Sequence, residues 1–139
     1  MTRSGFFRQG IRLVMGKLIS CLILACAASP VVAQDWNLRK ADVLLDRAGA
    51  EALTAGNTLT FSDDGEARYS VGGSYSYTFE DDSDTIFGLF SVEPDGRVCV
   101  DFRDGHGRCD FYVVNDSLLL MLTERGGRLP VRVHLGLKP

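Results

Sequence analysis

From Gly56 to its end, the chain repeats one pattern: short alternating segments separated by clusters of turn-forming residues. In "SYSYTFE", the aromatic residues Tyr75, Tyr77 and Phe79 alternate with serine and threonine, which is typical of a strand with one buried face. Turn sequences such as "SDDGE", "EPDG" and "ERGG" end these segments. We therefore predict a mostly β fold, an antiparallel meander of about seven to eight strands that forms a curled sheet or a small lipocalin-like barrel.

Two segments depart from simple alternation. "IFGLFSV", residues 86–92, is apolar on both faces, so we expect this strand to lie well inside the sheet. The last segment, "LPVRVHL", contains Pro130, which has no backbone N–H to donate. We expect this strand to be an edge, or to be paired on one side only at that position.

Before Gly56, the composition becomes helical. Residues 38–55 read "LRKADVLLDRAGAEALTA", with loosely spaced apolar side chains and few β-branched residues. This spacing predicts one N-terminal helix over about residues 38–55, with Gly49 weakening its middle. Gly56 suits the end of the helix because glycine adopts the left-handed conformation without a steric penalty.

The first 33 residues resemble an export signal. Four basic residues and no acidic ones precede a short apolar run, "LISCLILACAA", and small residues follow up to Ala33. A basic region, a short apolar region and a small-residue exit predict a signal peptide over residues 1–33, with cleavage after Ala33. The remainder, residues 34–139, is predicted to be a single β-rich domain. The apolar run is too short for a membrane span, which needs about 20 residues.

A lipid anchor is the alternative reading of this segment. Processing at Cys21 is disfavoured because Lys17 leaves almost no apolar run before it. Processing at Cys26 is disfavoured because the bulky Leu24 stands in an awkward position. We therefore expect a periplasmic or secreted protein with no membrane span after signal cleavage.

The charge balance narrows the range of partners. The whole chain has a formal charge of −3, with 15 basic and 18 acidic residues. All the acidic residues lie beyond residue 33, so removal of the four basic residues of the signal peptide leaves −7. A domain this acidic repels nucleic acid and anionic membrane surfaces. We predict no nucleic-acid partner.

Two cysteines, Cys99 and Cys109, remain after signal removal. In an exported protein, a cysteine pair is expected to form a disulfide. If both lie on one hairpin, the midpoint between them is Asp104, inside the turn "RDGHGR", and the two side chains face each other across the strands. A zinc site is not predicted because ligands in tight pairs are missing, and a redox pair is more often two residues apart. We predict a structural disulfide, no metal and no cofactor.

Other chemistry is poorly supported. The acidic run at residues 80–84 lacks the glycine of a calcium loop and reads as a solvated turn. Neither His106 nor His134 has a serine in a nucleophile-elbow context, so we predict no catalytic residues and no enzyme activity. Two further sets remain candidates. One is the aromatic set that either fills the core or lines a ligand cavity, Tyr75, Tyr77, Phe79 and Phe90. The other is the loop that contacts a partner, with Asp104, His106 and Arg108.

Several motifs follow one another in a fixed order: a short helix that runs into "GNTL" at residues 56–59, Gly88 and Phe90 in a central strand, and "DGRVC" at residues 95–99 followed by a second cysteine, Cys109. In this order the motifs resemble a family of small exported bacterial proteins of unknown function, the DUF995-like family of alphaproteobacterial type. The family pattern favours tryptophan where Phe90 stands. The resemblance implies a secreted β-rich domain with a hairpin disulfide, and it implies no activity.

Three functional hypotheses follow. The first is an exported envelope or periplasmic protein that binds an unknown protein or surface component without catalysis. The second is a lipocalin-like carrier of a small apolar ligand, which requires an unfilled interior. The third is a small secreted hydrolase inhibitor, which requires a protruding loop, and the "RDGHGR" turn is the only obvious one.

Overall fold

The computed structural model describes residues 36–136. The predicted signal peptide and the two alternative lipidation sites, Cys21 and Cys26, lie outside these residues. Along the chain, the elements are β1 (Val43–Leu44), α1 (Arg47–Thr54), β2 (Thr58–Phe61), β3 (Glu66–Tyr69), β4 (Ser74–Thr78), β5 (Thr85–Val92), β6 (Val98–Phe102), β7 (Gly107–Asn115), β8 (Leu118–Thr123) and β9 (Arg128–His134). Among residues 36–136, no helix is long and apolar enough to cross a membrane.

Strands β2 to β9 form a closed barrel of eight strands. Each strand pairs antiparallel with the next one in the chain, and the first and last barrel strands close the ring with Thr58 opposite His134 and Phe61 opposite Val131. The predicted antiparallel meander is therefore confirmed, and its sheet closes. Closure leaves no open sheet edge among these strands.

The helix is shorter than the sequence predicts. It spans Arg47–Thr54, whereas the prediction of a helix over residues 38–55 is wrong in its first half. There, Val43 and Leu44 pair with Val114 and Val113 of β7 as the short strand β1. Tertiary pairing overrides the local helical composition, since β7 extends past the end of β6 and offers unpaired backbone groups.

Both ends of α1 are capped. The carboxylate of Asp46 accepts a hydrogen bond from the backbone N–H of Gly49 at 2.8 Å, which satisfies a free donor of the first turn. At the other end, Gly56 takes a φ of +77°, as expected for a helix stop. The side-chain amide of Asn57 then donates to the carbonyl oxygens of Ala52 and Leu53. The helix therefore ends where β2 begins.

The two ends of the barrel differ. At the helix end, Ala50 of α1 is fully buried within the barrel core, and the turn at Gly96 touches the backbone of Leu45 and Asp46. At the opposite end, which we call the loop end, lie the turns at residues 62–65, 79–84, 103–106 and 124–127. The helix therefore packs against one end of the barrel, and the loops with most of the turn-region charge lie at the other.

The barrel interior holds the main core. Its buried members are Ala50, Leu59, Phe61, Ala67, Tyr69, Tyr75, Val98, Val100, Tyr112, Met121 and Val131. The outer face of β5 is different, because Phe87 and Leu89 are 46% and 64% exposed. As the sequence predicts, β5 lies inside the sheet, paired with β4 on one side and with β6 on the other, but its second apolar face is not covered. The outer residues of β5 lie on the outside of a single-layer barrel wall, and β5 carries no covering layer there.

The segment from Trp36 to Asp46, which we call the strap, lies across the outside of the barrel. Trp36 packs edge-on against Phe111 with ring centroids 4.8 Å apart. Within the strap, the Asp42 carboxylate is fully covered and accepts two hydrogen bonds from the Arg128 guanidinium at 2.7 and 2.8 Å. The Asn115 amide donates a third at 2.7 Å. These hydrogen bonds hold the pKa of Asp42 below its usual range, and those from Arg128 have the largest effect.

We predict that Asp42→Asn loosens the strap. The substitution removes the charge that pairs with the covered Arg128 side chain, which leaves that cation without its partner. Trp36 is the only tryptophan, so its emission should shift to longer wavelength and the unfolding midpoint should fall at neutral pH. The wild-type protein should show the same change only when the pH falls below the usual range of an aspartate, because a lowered pKa contributes stability above that range.

Asp64→Asn is the matched control. The ion pair between Asp64 and Arg132 is 70–75% exposed, and such pairs contribute little to stability. Equal effects of the two substitutions on Trp36 emission would contradict the role of Asp42.

Candidate functional site

The predicted disulfide between Cys99 and Cys109 is present. The two residues stand directly opposite each other in the β6–β7 hairpin, with an S–S distance of 2.01 Å and Cα atoms 4.0 Å apart. The disulfide lies on the outer face of the barrel wall, because the neighbouring Val98 and Val100 face the interior. Across residues 36–136, no three histidine, cysteine, aspartate or glutamate side chains group into a candidate metal site.

The structure divides the predicted partner loop into two parts. Asp104 and His106 lie on the 103–106 loop with side chains 68% and 86% exposed, and their Oδ1 and Nδ1 atoms are 3.3 Å apart. Asp104 also accepts the backbone N–H of His106 at 2.9 Å, which is the main cause that lowers its pKa. Arg108 does not belong to this exposed tip. It lies on β7 opposite Val100 and faces the barrel interior.

Inside the loop end, Arg108 meets Asp110. The guanidinium Nε lies 3.0 Å from Oδ2 of Asp110, whose side chain is only 5% exposed. The Nε atom has no hydrogen-bond partner within the part of the chain that the structure describes, so charge attraction holds this pair together. Burial raises the pKa of Asp110 to about 6, with Arg108 opposing the rise and Glu124 adding to it. Asp110 therefore changes charge near pH 6.

Three tyrosines complete this group, which we call the interior polar cluster: Arg108, Asp110, Tyr69, Tyr75 and Tyr112. The hydroxyls of Tyr69 and Tyr112 share a hydrogen bond at 3.0 Å. The hydroxyl of Tyr75 is buried and has no hydrogen-bond partner among the described residues. Burial raises the pKa of all three tyrosines, and each interacts electrostatically with Arg108. The cluster therefore places neutral hydroxyls around one cation.

The predicted aromatic set lies mostly in the core. Tyr75 is buried, and Tyr77 and Phe90 are partly buried and pack against the core. Phe79 is 45% exposed at the loop end and touches Tyr77 with ring centroids 5.0 Å apart. Tyr69 packs against both Tyr75 and Phe90 at 5.1 and 5.0 Å. Side chains therefore fill this part of the interior, as they can in a barrel of about eight strands.

A cleft of about 310 Å³ leads to the cluster from outside. It is lined by Gly107, Arg108, Cys109, Asp110, Thr123, Glu124 and Arg125. The cleft exists because β8 ends at Thr123, opposite Asp110, whereas β7 begins three residues earlier at Gly107. Cys109 precedes the first residue pair between β7 and β8. In place of a strand partner, the Glu124 carboxylate accepts its backbone N–H at 3.3 Å.

Sequence reasoning did not find Asp110 or Glu124 as site residues. The usable signal was the alternation of Arg108, Asp110 and Tyr112, which places all three on one face of β7. The sequence alone does not show that this face is the inner one, since that depends on how the barrel closes.

Comparison with known proteins finds no match: no family model, no curated protein and no solved structure is similar to this chain. The resemblance to the DUF995-like family therefore stays a prediction. Any functional argument rests on the described residues themselves.

We predict that Asp110→Asn changes how stability depends on pH. A carboxyl whose pKa rises from 3.8 to about 6 on folding contributes stability below pH 4, and this contribution is lost as the pH rises through 6. The loss is on the order of 3 kcal/mol. Urea unfolding measured from pH 3.5 to pH 7 checks this prediction. Over that range, the free energy of unfolding of the wild-type protein should fall by this amount relative to that of the asparagine variant.

Asp104→Asn is the control for this measurement, because Asp104 lies on the same hairpin with an exposed side chain. The free energy of unfolding of this variant should decline with rising pH above pH 4 as it does in the wild-type protein. Parallel pH profiles for wild type and Asp110→Asn would show that Asp110 ionises as it does in the unfolded chain.

Proposed function

We propose that this protein is an exported, non-enzymatic binding protein that contacts a protein or surface partner through the loop end of its barrel. The observation that carries the proposal is the 103–106 loop, whose Asp104 and His106 side chains project into solvent from a covalently closed hairpin. Exposed charged side chains on a rigid support are suited to recognition. A disulfide of this kind suits an oxidising compartment outside the cytoplasm.

The loop is held in one shape before it binds. Besides the disulfide, the Phe102 backbone N–H donates to the carbonyl of His106 at 2.8 Å, and the Gly105 N–H donates to the carbonyl of Phe102 at 3.0 Å. Gly105 takes a φ of +89°, a conformation that side chains other than glycine rarely adopt. A loop that is already ordered loses little conformational entropy on association.

The two other hypotheses receive unequal support. The secreted inhibitor uses the same exposed loop, so the loop geometry favours it as a special case of partner binding. A carrier of an apolar ligand is compatible with a barrel, but the interior contacts between Tyr69, Tyr75 and Phe90 leave this region occupied by side chains. A ligand mass that survives gentle purification and disappears on denaturation would favour the carrier over our proposal.

The proposal predicts which surface forms contacts in the native envelope. A photo-cross-linking amino acid at position 106 should give one or a few defined adducts. The same group at position 71 should not, because Val71 is 84% exposed but belongs to a turn at the helix end. Asp104→Ala together with Cys99→Ala and Cys109→Ala should reduce the yield from position 106, because the loop then loses the disulfide and the hydrogen bond that Asp104 accepts from His106.

The opposite pattern would remove the proposal. Adducts of equal yield from positions 71 and 106, or none from 106 while the protein is folded and exported, would show that the loop end is not the contact surface.

A further inference from the structure

We propose that the cleft at the start of β7 is a binding site for a small carboxylate monoanion, which pairs with the Arg108 guanidinium as Asp110 takes up a proton. The site is separate from the exposed 103–106 loop, and the inference does not depend on the proposed partner. It rests on two observations: the terminal nitrogens of the Arg108 guanidinium have no hydrogen-bond partner among the described residues, and the lining of the cleft carries a particular balance of charges.

The guanidinium of Arg108 is only partly used within the described residues. Its one ion-pair contact is through Nε to Asp110, without hydrogen-bond geometry. The two terminal nitrogens form no hydrogen bond with any of residues 36–136 that the structure describes. A guanidinium with its terminal nitrogens free presents two parallel N–H donors, which match the two oxygens of a carboxylate. Its side chain is 36% exposed, so a ligand in the cleft reaches it.

The lining charge selects the ligand. Arg108 and Arg125 supply two positive charges, and Asp110 and Glu124 supply two negative ones, so the cleft is neutral when all are ionised. Protonation of Asp110 leaves one net positive charge, which suits a monoanion and disfavours a dianion such as sulfate. The volume of about 310 Å³ lies at the small end of ligand pockets, so the ligand is a small organic acid.

Proton uptake is set by the surroundings of Asp110. Burial raises its pKa to about 6 although Arg108 lies beside it. The charged groups that act on it are Arg108 of β7 and Glu124 of the turn after β8. The titratable hydroxyls of Tyr69, Tyr75 and Tyr112 lie near enough for Asp110 to raise their pKa. An anion that approaches Arg108 adds repulsion and raises this pKa further. Binding therefore transfers one proton from solvent to the Asp110 carboxylate, and the carboxylate ligand takes its place beside the guanidinium.

The probe for the test is sodium formate, which stays ionised at both pH 5.5 and pH 7.5. Its binding is measured from the chemical shifts of the backbone amides, and sodium chloride at equal ionic strength is the reference. Formate should shift residues 107–110 and 123–125 saturably. The dissociation constant should be about 20-fold weaker at pH 7.5, because the fraction of protonated Asp110 falls from about three quarters to about 3%. Calorimetry in buffers of different ionisation enthalpy should show uptake approaching one proton at pH 7.5.

Variants separate the site from general electrostatics. Arg108→Gln should abolish saturable shifts, and Arg108→Lys, which keeps the charge but lacks the two parallel donors, should weaken binding at least fivefold. Asp110→Asn should bind formate equally at both pH values. Arg103→Gln is the control, since Arg103 lies over Phe87 on the outer wall, and it should bind as wild type does.

Three results would overturn the inference. One is wild-type affinity that does not change with pH, and another is unchanged formate binding in a folded Arg108→Lys or Arg108→Gln protein. The third is saturable binding of ammonium, rather than formate, at residues 107–110, which would make the cleft a cation site. None of these results bears on cross-linking from position 106, so this inference and the proposed function fail independently.

Discussion

The pairing of β2 with β9 is the constraint on which the rest of the structure depends. Four residue pairs, from Thr58 with His134 to Phe61 with Val131, join the first and last barrel strands. Once the ring is closed, alternation along every strand divides the side chains into an inner and an outer set. On β7, closure turns Arg108, Asp110 and Tyr112 inward and Cys109 outward. The same closure therefore creates both the polar interior and the external disulfide.

Burial of a charged pair inside a small barrel costs free energy, and the strand lengths limit this cost. Charge burial is unfavourable unless partners or solvent compensate. Because β8 ends at Thr123, the first residues of β7 have no ladder partner on that side, and the resulting cleft keeps Arg108 partly solvated. Asp110 is deeper and responds with a raised pKa. The polar group thus lies at the loop end, where access to water is retained, while the helix end is filled by apolar residues such as Ala50.

Much of the fold follows from local sequence patterns. Alternation and turn clusters predicted the meander, and the midpoint of the cysteine pair predicted its hairpin. Pro130 behaves as its missing N–H requires, because β9 pairs with β8 at this residue and with β2 only from Val131 onward. Strand β3, Glu66–Tyr69, gives little periodic signal, since it has only four residues and a single large apolar side chain.

What sequence reasoning missed depends on long-range contacts. The first half of the predicted helix forms a strap instead, because Asp42 binds Arg128 at a sequence separation of 86. The sequence groups Arg108 with the exposed loop because its neighbours in the chain are turn residues, whereas its orientation is set by register with Val100. The pairing of Asp110 with Arg108 follows from the same orientation, and no spacing rule separates an inward-facing ion pair from a surface one.

The most direct test of this account is the ionisation of Asp110, followed through its side-chain carboxyl ¹³C shift as the pH is varied in the folded wild-type protein. A carboxyl buried beside Arg108 and near Glu124 should titrate with a midpoint of about 6. A midpoint near 4, as for an aspartate in water, would contradict the account, because it would mean that burial of Asp110 does not outweigh the attraction of Arg108.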